Sequence, residues 1–395
     1  LKIFTEEIAT PGTIFVGYNS VRFDDEFMRA LHYRNCYDPY KWQWKDDRSR
    51  WDLLDVVRMT RALRPEGINW PVDSEGRATN RLELLTSMNG LDHEHAHDAL
   101  NDVLATISLA QLIRTKQPKL FDYLLSVRSK DAVKALVEQG KPFVYSSGKY
   151  SGDFQKTAVA VRIADHPKRG GALVYDLRYD PDQFKDMSAN QLVDAWKWQK
   201  PEDRDPSNPR LPIKTLQYNR CPAVAPLAVI QADEDSQKRL QINLDTIKAN
   251  LKKLQAIVDW PERIYIALDI LDGEQQQRFA LEEKTVDGKI YDGFMGDGDA
   301  RLLEQIRVAQ PDELSGFISR CKDARLKELL PLYKARNFPK KLTDEERANW
   351  EEYKRKMLFD GGTNSKLAKY FAKLQQIRIR PDLTQNQKYL LEDLN

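Results

Sequence analysis

The stretch TIFVGYNSVRFDDE, residues 13–26, decides how the amino-terminal part of the chain folds. Thr13 to Tyr18 is a short apolar run behind the Pro11-Gly12 pair, the pattern of a buried strand. The run leads into Asn19, Phe23 and Asp24, and Asp25 to Arg34 then reads as a helix. A strand feeding a helix, with a carboxylate at the strand's carboxy end, predicts an α/β domain whose site lies at that end. Asp24 serves there either as a hard oxygen ligand for a metal or as a helix cap. Taken alone the cap is the commoner use, because Asp is favoured at helix starts and Asp25 and Glu26 fall near the positive end of the helix dipole.

Outward from this stretch, the pattern predicts helices over Trp51 to Leu63 and over Arg81 to Asn89, the latter stopped by Gly90. Leu100, Val103, Leu104, Ile107, Ala110 and Ile113 recur at three- and four-residue steps and predict an amphipathic helix within His97 to Arg114. At its start stands HDALND, residues 97–102. His97 titrates near neutrality and is able to take a proton from water, and Asp102 offers a hard oxygen to Mg²⁺ or Mn²⁺. A histidine near a helix start is more often a cap or a core residue. His93, His95 and His97 also raise zinc, which is disfavoured because no cysteine lies nearby to complete a tetrahedral set.

After Pro118 the texture changes. Phe143 to Ser146, Ala158 to Ile163, Ala172 to Leu177 and Ile213 to Tyr218 are short β-type runs between Gly, Pro and Asp clusters, which predicts a small barrel or sheet. Ser188-Ala-Asn-Gln191 reads as a capping box that starts an inserted helix. From Asp233 onward the pattern is helical, with Leu240, Leu244, Ile247, Leu251 and Leu254 as one apolar stripe and Lys366 to Ile379 as another. The order is therefore α/β, then β, then α.

A length of 395 residues suits two to four domains, and 41% hydrophobic with 31% charged residues is ordinary globular usage. The absence of a long apolar run or a signal-like start disfavours membrane insertion and secretion, and Cys36, Cys221 and Cys321 are too far apart in sequence for a C-x-x-C zinc site. We expect a cytoplasmic protein. The net charge of +2 names no partner, but Arg320 to Arg380 holds 17 Lys and Arg against 8 Asp and Glu, interleaved with Tyr333, Phe338, Trp350, Tyr353, Tyr370 and Phe371. Bases with aromatics suit a nucleic-acid groove, and a solvated helical face is an equal reading of the charge.

An Asn-x-x-x-Phe-Asp after a strand, then His-x-x-x-x-Asp on a helix about 75 residues later, resembles the second and third motifs of the DEDD exonucleases, histidine variant. The resemblance sharpens at Gly17 to Glu26, Ser49-Arg-Trp-Asp-Leu-Leu-Asp55 and Ala62-Leu-Arg-Pro-Glu-Gly-Ile-Asn-Trp-Pro71, which are similar to the bacterial exodeoxyribonuclease I family. Asn219-Arg-Cys-Pro222, Tyr291-Asp-Gly-Phe294 and Tyr333-Lys-Ala-Arg-Asn-Phe-Pro339 extend it over nearly the whole chain.

The resemblance implies an RNase H-like exonuclease domain (1–117), an SH3-like β-barrel domain (118–270) and a helical DNA-clamping domain (271–395). It implies 3′→5′ degradation of single-stranded DNA to nucleoside 5′-monophosphates, by two-metal-ion hydrolysis with Mg²⁺ or substituting Mn²⁺, in DNA repair and recombination. Asp24 and Asp102 match metal-binding carboxylates and His97 the general base. Asn19, Phe23, Arg64, Tyr145 and Arg336 are the expected DNA contacts, with Tyr145 equally readable as core packing. The expected partners are single-stranded DNA and the acidic carboxy-terminal tail of single-stranded DNA-binding protein, the latter a second use for Arg320 to Arg380, and the expected state is a monomer.

The family's Asp-x-Glu does not precede Thr13. On that ground the chain is expected to lack the first motif and the opening strands, to be catalytically weak or dead, and to leave an apolar face of the His97 to Arg114 helix uncovered. A 3′→5′ exoribonuclease and a non-catalytic single-strand binder, with the carboxylates as caps, are the alternative readings.

Overall fold

The computed structural model describes residues 1–91, 99–197, 209–280, 285–360 and 362–394. The chain divides into two compact units, Leu1–Arg29 with Tyr40–Glu283 and Ala30–Pro39 with Lys284–Asn395.

In the first unit the expected strand forms as β1 (Ile14–Gly17) and is followed by α1 (Asp24–Arg34), whose residues from Ala30 onward belong to the second unit. A second strand, β2 (Ser49–Asp52), runs parallel to β1, with Val16 opposite Trp51 and Gly17 opposite Asp52. The helix expected from Trp51 therefore begins later. Trp51 and Asp52 take extended backbone because β1 offers them a ladder, which local periodicity does not register. Asp52 then caps α2 (Leu53–Leu63), accepting from the Leu54 N–H at 2.9 Å.

Helix α3 (Leu82–Met88) stops before Gly90, whose φ of 65° suits glycine. Helix α4 (Ala99–Lys116) buries Ala105, Leu109 and Ile113, whereas Leu100, Val103, Leu104 and Ile107 of the expected stripe are exposed. The stripe is thus packed only at its carboxy-terminal end, at Ala110 and Ile113, and its first part is the uncovered apolar face expected of this helix. The core takes the small and leucine positions one step around, and an uncovered apolar strip remains.

Helix α5 (Pro118–Ser126) and α6 (Lys130–Val137), the latter capped by Ser129, lead into an antiparallel sheet. Its strands are β3 (Phe143–Ser146), β4 (Thr157–Asp165), β5 (Gly171–Asp176), β6 (Ile213–Gln217) and β7 (Ala223–Pro226), in the order β6-β5-β4-β3-β7. A register shift between Arg162 and Ala164 bends β4 against β5. The sequence pattern missed β7 because Pro222 precedes it and Pro226 ends it, yet an edge position tolerates proline. Between β5 and β6, α7 (Ala189–Trp196) begins with the expected Ser188–Gln191 capping box. Along β5, Leu173 and Tyr175 join the core shared with α2 and α4, while Ala172 and Val174 face a second cluster with Val133, Phe143 and Leu216. The period-two alternation of the strand thereby fills both faces of the sheet.

Four helices complete this unit: α8 (Ala228–Gln231), α9 (Glu234–Arg239), α10 (Leu244–Ala256) and α11 (Trp260–Ala280). The stripe expected from Leu240 to Leu254 is interrupted at Gln241, with φ of 53°, and Asn243 caps α10 by accepting from the Asp245 and Thr246 N–H groups.

The second unit is helical, with α12 (Asp297–Val308), α13 (Leu314–Ile318), α14 (Ala324–Asn337), α15 (Asp344–Phe359), α16 (Lys366–Arg378) and α17 (Gln385–Asp393). Thr343 and Thr384 open α15 and α17 with capping boxes. Leu303, Ile306, Leu326, Leu329 and Leu330 pack around Tyr33 and Cys36 in its core. Cys36, Cys221 and Cys321 are buried free thiols, and burial pushes the Cys36 thiol up to about 12. Among the described residues no helix is long and apolar enough to cross a membrane.

Candidate functional site

The turn after β1 is held by one carboxylate. Asp52, at the end of β2, accepts from the backbone N–H groups of Asn19 (2.8 Å) and Val21 (3.1 Å) as well as from that of Leu54 (2.9 Å). This lets Asn19 adopt a left-handed backbone, with φ of 60° and ψ of 19°, which asparagine tolerates better than most residues. Gly17 is needed at the same turn, because a Cβ there would meet the Ser20 Cβ at 2.6 Å. Tyr18 fastens the other side by donating from its hydroxyl to the Asn80 carbonyl.

With the turn fixed, Asp24 falls at the first residue of α1. The neighbouring Asp25 is buried and paired with Arg50 of β2, and Arg50 also donates to the Asn219 carbonyl. The start of α1 is therefore anchored to β2 and to the Asn219–Pro222 loop. Asp24 itself is exposed as a residue, but local burial of its carboxyl raises its pKa above the ordinary value, and the Asp52 charge adds to the rise. A carboxyl of raised pKa gains from a cation that stabilises its charged form.

Asp24 and Asp102 line the same cleft of about 980 Å³. The end of β1 with Asn19, the start of α1 with Phe23, and one face of α4 with Val103 and Ile107 form its walls, together with the 78–83 segment. Part of the exposed apolar strip of α4 is thus a wall of this cleft. The donor chemistry fits a hard divalent cation, since two carboxylates from separate helices converge on one open space. Among the described residues no group of three or more His, Cys, Asp or Glu side chains forms a metal cluster. His93, His95 and His97 lie outside the described residues.

Phe23 is 59% exposed and packs on Phe27, with ring centroids 4.8 Å apart, so it presents an open aromatic face at the cleft. The remaining expected contacts lie elsewhere. Arg64 ends α2 and donates to Asp233 at 2.6 Å and to the carbonyls of Leu63 and Val229, which ties α2 to α9. Tyr145 is buried edge-on against Tyr150, which leaves its ring no open face for stacking on a base. Arg336, in the second unit, is paired with Asp287 at 2.6 Å and lies over the Trp350 ring. Sequence reasoning read Asp25 only as a charge at the start of the helix, and it missed Asp52 and Arg50. The only signal for them was the Ser49–Asp55 run, since a carboxylate that binds three backbone N–H groups has no spacing of its own.

Three family descriptions match the chain: Exonuclease over residues 5–110, Exonuclease I SH3-like domain over 128–268 and Exonuclease I C-terminal domain over 284–395. Exodeoxyribonuclease I of Escherichia coli is 37% identical over 350 residues, covering 88% of this chain and 72% of that protein. The structure of exonuclease I from Methylocaldum szegediense is 40% identical with a TM-score of 0.87, covering 98% of this chain and 80% of the other. E. coli exonuclease I bound to a dA16 oligonucleotide is 35% identical with a TM-score of 0.84, covering 97% and 80%. An ExoI/SSB-Ct complex is 34% identical with a TM-score of 0.82, covering 97% and 79%.

Proposed function

This chain belongs to the exonuclease I family, and from that membership we propose that it shortens single-stranded DNA from the 3′ end, releasing nucleoside 5′-monophosphates. The observation that carries the reading to this chain is that Asp24 and Asp102, on different helices, line one open cleft. Asp24 and Asp102 are the residues that would hold divalent metal, Mg²⁺ with Mn²⁺ as substitute, which when bound screens the phosphodiester's charge and polarises it for attack. His97 takes the proton from the attacking water at an imidazole nitrogen, Asn19 orients the strand end, and Phe23 offers a ring to a base. Incubation with a 5′-labelled oligonucleotide and Mg²⁺ tests the reading. Stepwise shortening from the 3′ end supports it, and an oligonucleotide that is neither retained nor shortened rejects it.

Two further outcomes are expected. Cleavage should rise with pH through the region of an unperturbed imidazole, about 6.5, and His97→Ala should remove both that rise and most of the rate. A variant with the parent rate and profile would rule His97 out as the base. Strand affinity should also fall with salt, with a log–log slope of about −0.7 per phosphate contacted, and a flat response in a titration series would leave stacking alone as the source of affinity.

Partners and context follow the same proposal: single-stranded DNA, the acidic tail of single-stranded DNA-binding protein, work as a monomer in the cytoplasm, and a place in repair and recombination. The ExoI/SSB-Ct complex supports the second partner. Within 320–380 several bases are already matched locally, Arg325 by Asp323, Lys334 by Glu346 and Arg336 by Asp287, so an acidic tail would meet the segment's surplus rather than its full charge.

A further inference from the structure

Arg61, in the last turn of α2, is buried, and among the described residues no carboxylate lies within ion-pair distance of it. Burial lowers its pKa from the ordinary arginine value. Its Nη1 donates to two main-chain carbonyls, that of Thr79 at 2.7 Å and that of Pro71 at 2.9 Å. The two carbonyls belong to opposite arms of a short hairpin. Val72 bridges Ala78 in antiparallel fashion, the Thr79 N–H donates to the Pro71 carbonyl at 3.3 Å, and the Asp73 N–H donates to the Arg77 carbonyl at 2.8 Å. At the tip, the Asp73 carboxylate accepts from the N–H groups of Glu75 and Arg77, each at 2.9 Å. Arg61 closes the other end. Its guanidinium lies 5.7 Å from the centroid of the Trp70 ring, and the Trp70 indole N–H donates to the Pro65 carbonyl at 2.8 Å. The second arm of the hairpin runs straight into the 78–83 wall of the cleft, where Tyr18 holds the Asn80 carbonyl. Arg61 itself does not line the cleft.

We infer that Arg61 is a positioning residue for strand cleavage: by clamping both arms of the 71–79 hairpin it fixes the 78–83 wall in the cleft that holds Asp24 and Asp102, and with it the terminal nucleotide at the moment the bond breaks. The inference rests on the exonuclease reading and adds to it a residue that touches neither strand nor metal. Fold stability does not account for this arginine. A guanidinium taken out of water without a carboxylate is no more stabilising than a well-packed apolar side chain of similar volume. What the guanidinium supplies is geometry, because both bonds leave one nitrogen and so fix the separation of the two arms at a single point. The wall is reached from two sides, by Arg61 of α2 and by Tyr18 of the β1 turn, so neither anchor alone sets its place. A shift of about 1 Å in a reacting group costs a rate of the order of 10²-fold, and a wall that carries the strand end transmits such a shift.

The test compares the parent with Arg61→Met, Arg61→Lys and Tyr18→Phe by shortening kinetics of a labelled dT oligonucleotide in Mg²⁺, its anisotropy in Ca²⁺, melting curves and hydrogen exchange read by mass spectrometry. Arg61→Met is expected to lower kcat about tenfold while KM and strand affinity stay within about twofold. Its melting temperature should stay within about 3 °C of the parent, and amide exchange should quicken in peptides covering 71–83 and nowhere else in the first unit. Arg61→Lys should recover most of the rate, since one ammonium can donate to both carbonyls. Tyr18→Phe, which frees only the Asn80 carbonyl, should lower kcat in the same direction by about threefold with KM unchanged. A parent kcat in both Arg61→Met and Tyr18→Phe would overturn the role, and so would a kcat loss with parent exchange over 71–83. An unfolded Arg61→Met, or exchange quickened throughout the unit, would make Arg61 a support of the fold and overturn its positioning role. A parent that neither binds nor shortens the oligonucleotide would overturn the exonuclease reading together with this role. One that binds without shortening overturns the role of Arg61 alone.

Discussion

Replacing Asp102 by Asn is expected to lower metal-dependent shortening of a single strand by about 10³-fold or more while strand affinity stays close to that of the parent. Asp102 lies in the first turn of α4 and faces the cleft that Asp24 enters from α1. Asparagine keeps the shape and one neutral oxygen but removes the charge that a divalent ion requires. Several kcal/mol of transition-state stabilisation pass through that ion, and each 1.36 kcal/mol is a factor of ten in rate. The competing account makes Asp102 a stabiliser of the helix dipole, which is worth about 0.3–1 kcal/mol. On that account Asp102→Asn would lose a little thermal stability and keep its rate. The two accounts are separated by measuring shortening of a 5′-labelled oligonucleotide beside a melting curve. A parent rate in Asp102→Asn would remove the carboxylate from the metal site.

The second large effect concerns stability. Arg50→Met is expected to destabilise the first unit by about 3–5 kcal/mol, because it strands the Asp25 carboxylate where little solvent reaches it. It also removes the bond from Arg50 to the Asn219 carbonyl. Adding Asp25→Asn should recover part of the loss, since an uncharged amide costs less to bury than an unpaired carboxylate. Asp24 is the next residue on the first turn of α1, so divalent-ion affinity measured calorimetrically should drop with Arg50→Met. Equal denaturant midpoints for the parent and Arg50→Met would show that the pair does not hold this turn.

What the sequence made legible follows from what each residue depends on. Strand β1 and helix α1 were readable because a continuous apolar run and a helical start are local properties. So were the Ser188 box and the helices after Asp233. Strand β2 was not, because Ser49 to Asp52 carries no alternation and becomes extended only beside β1. Helix α4 was found, and the apolar face expected to lack cover is exposed at Leu100, Val103, Leu104 and Ile107; Ile113 of the same stripe is buried, with Ala105 and Leu109, which the stripe did not include, beside it in the core. At the site, Asn19, Phe23, Asp24 and Asp102 were recognised by type and spacing and do line one cleft. Arg64 carried the right charge for DNA and is engaged by Asp233, a partner 169 residues away that no local pattern announces.

The three buried thiols make the chain its own instrument. Cys221 sits in the first unit, and Cys36 and Cys321 in the core of the second, so each is shielded from an alkylating reagent for as long as its own unit stays shut. Labelling in native buffer therefore counts opening events, and peptide mapping resolves them by unit. Two distinct half-lives would mean that the parts breathe separately, and a common one that they open together. The same shielding gives the protein an intrinsic resistance to oxidants that ends when either unit opens.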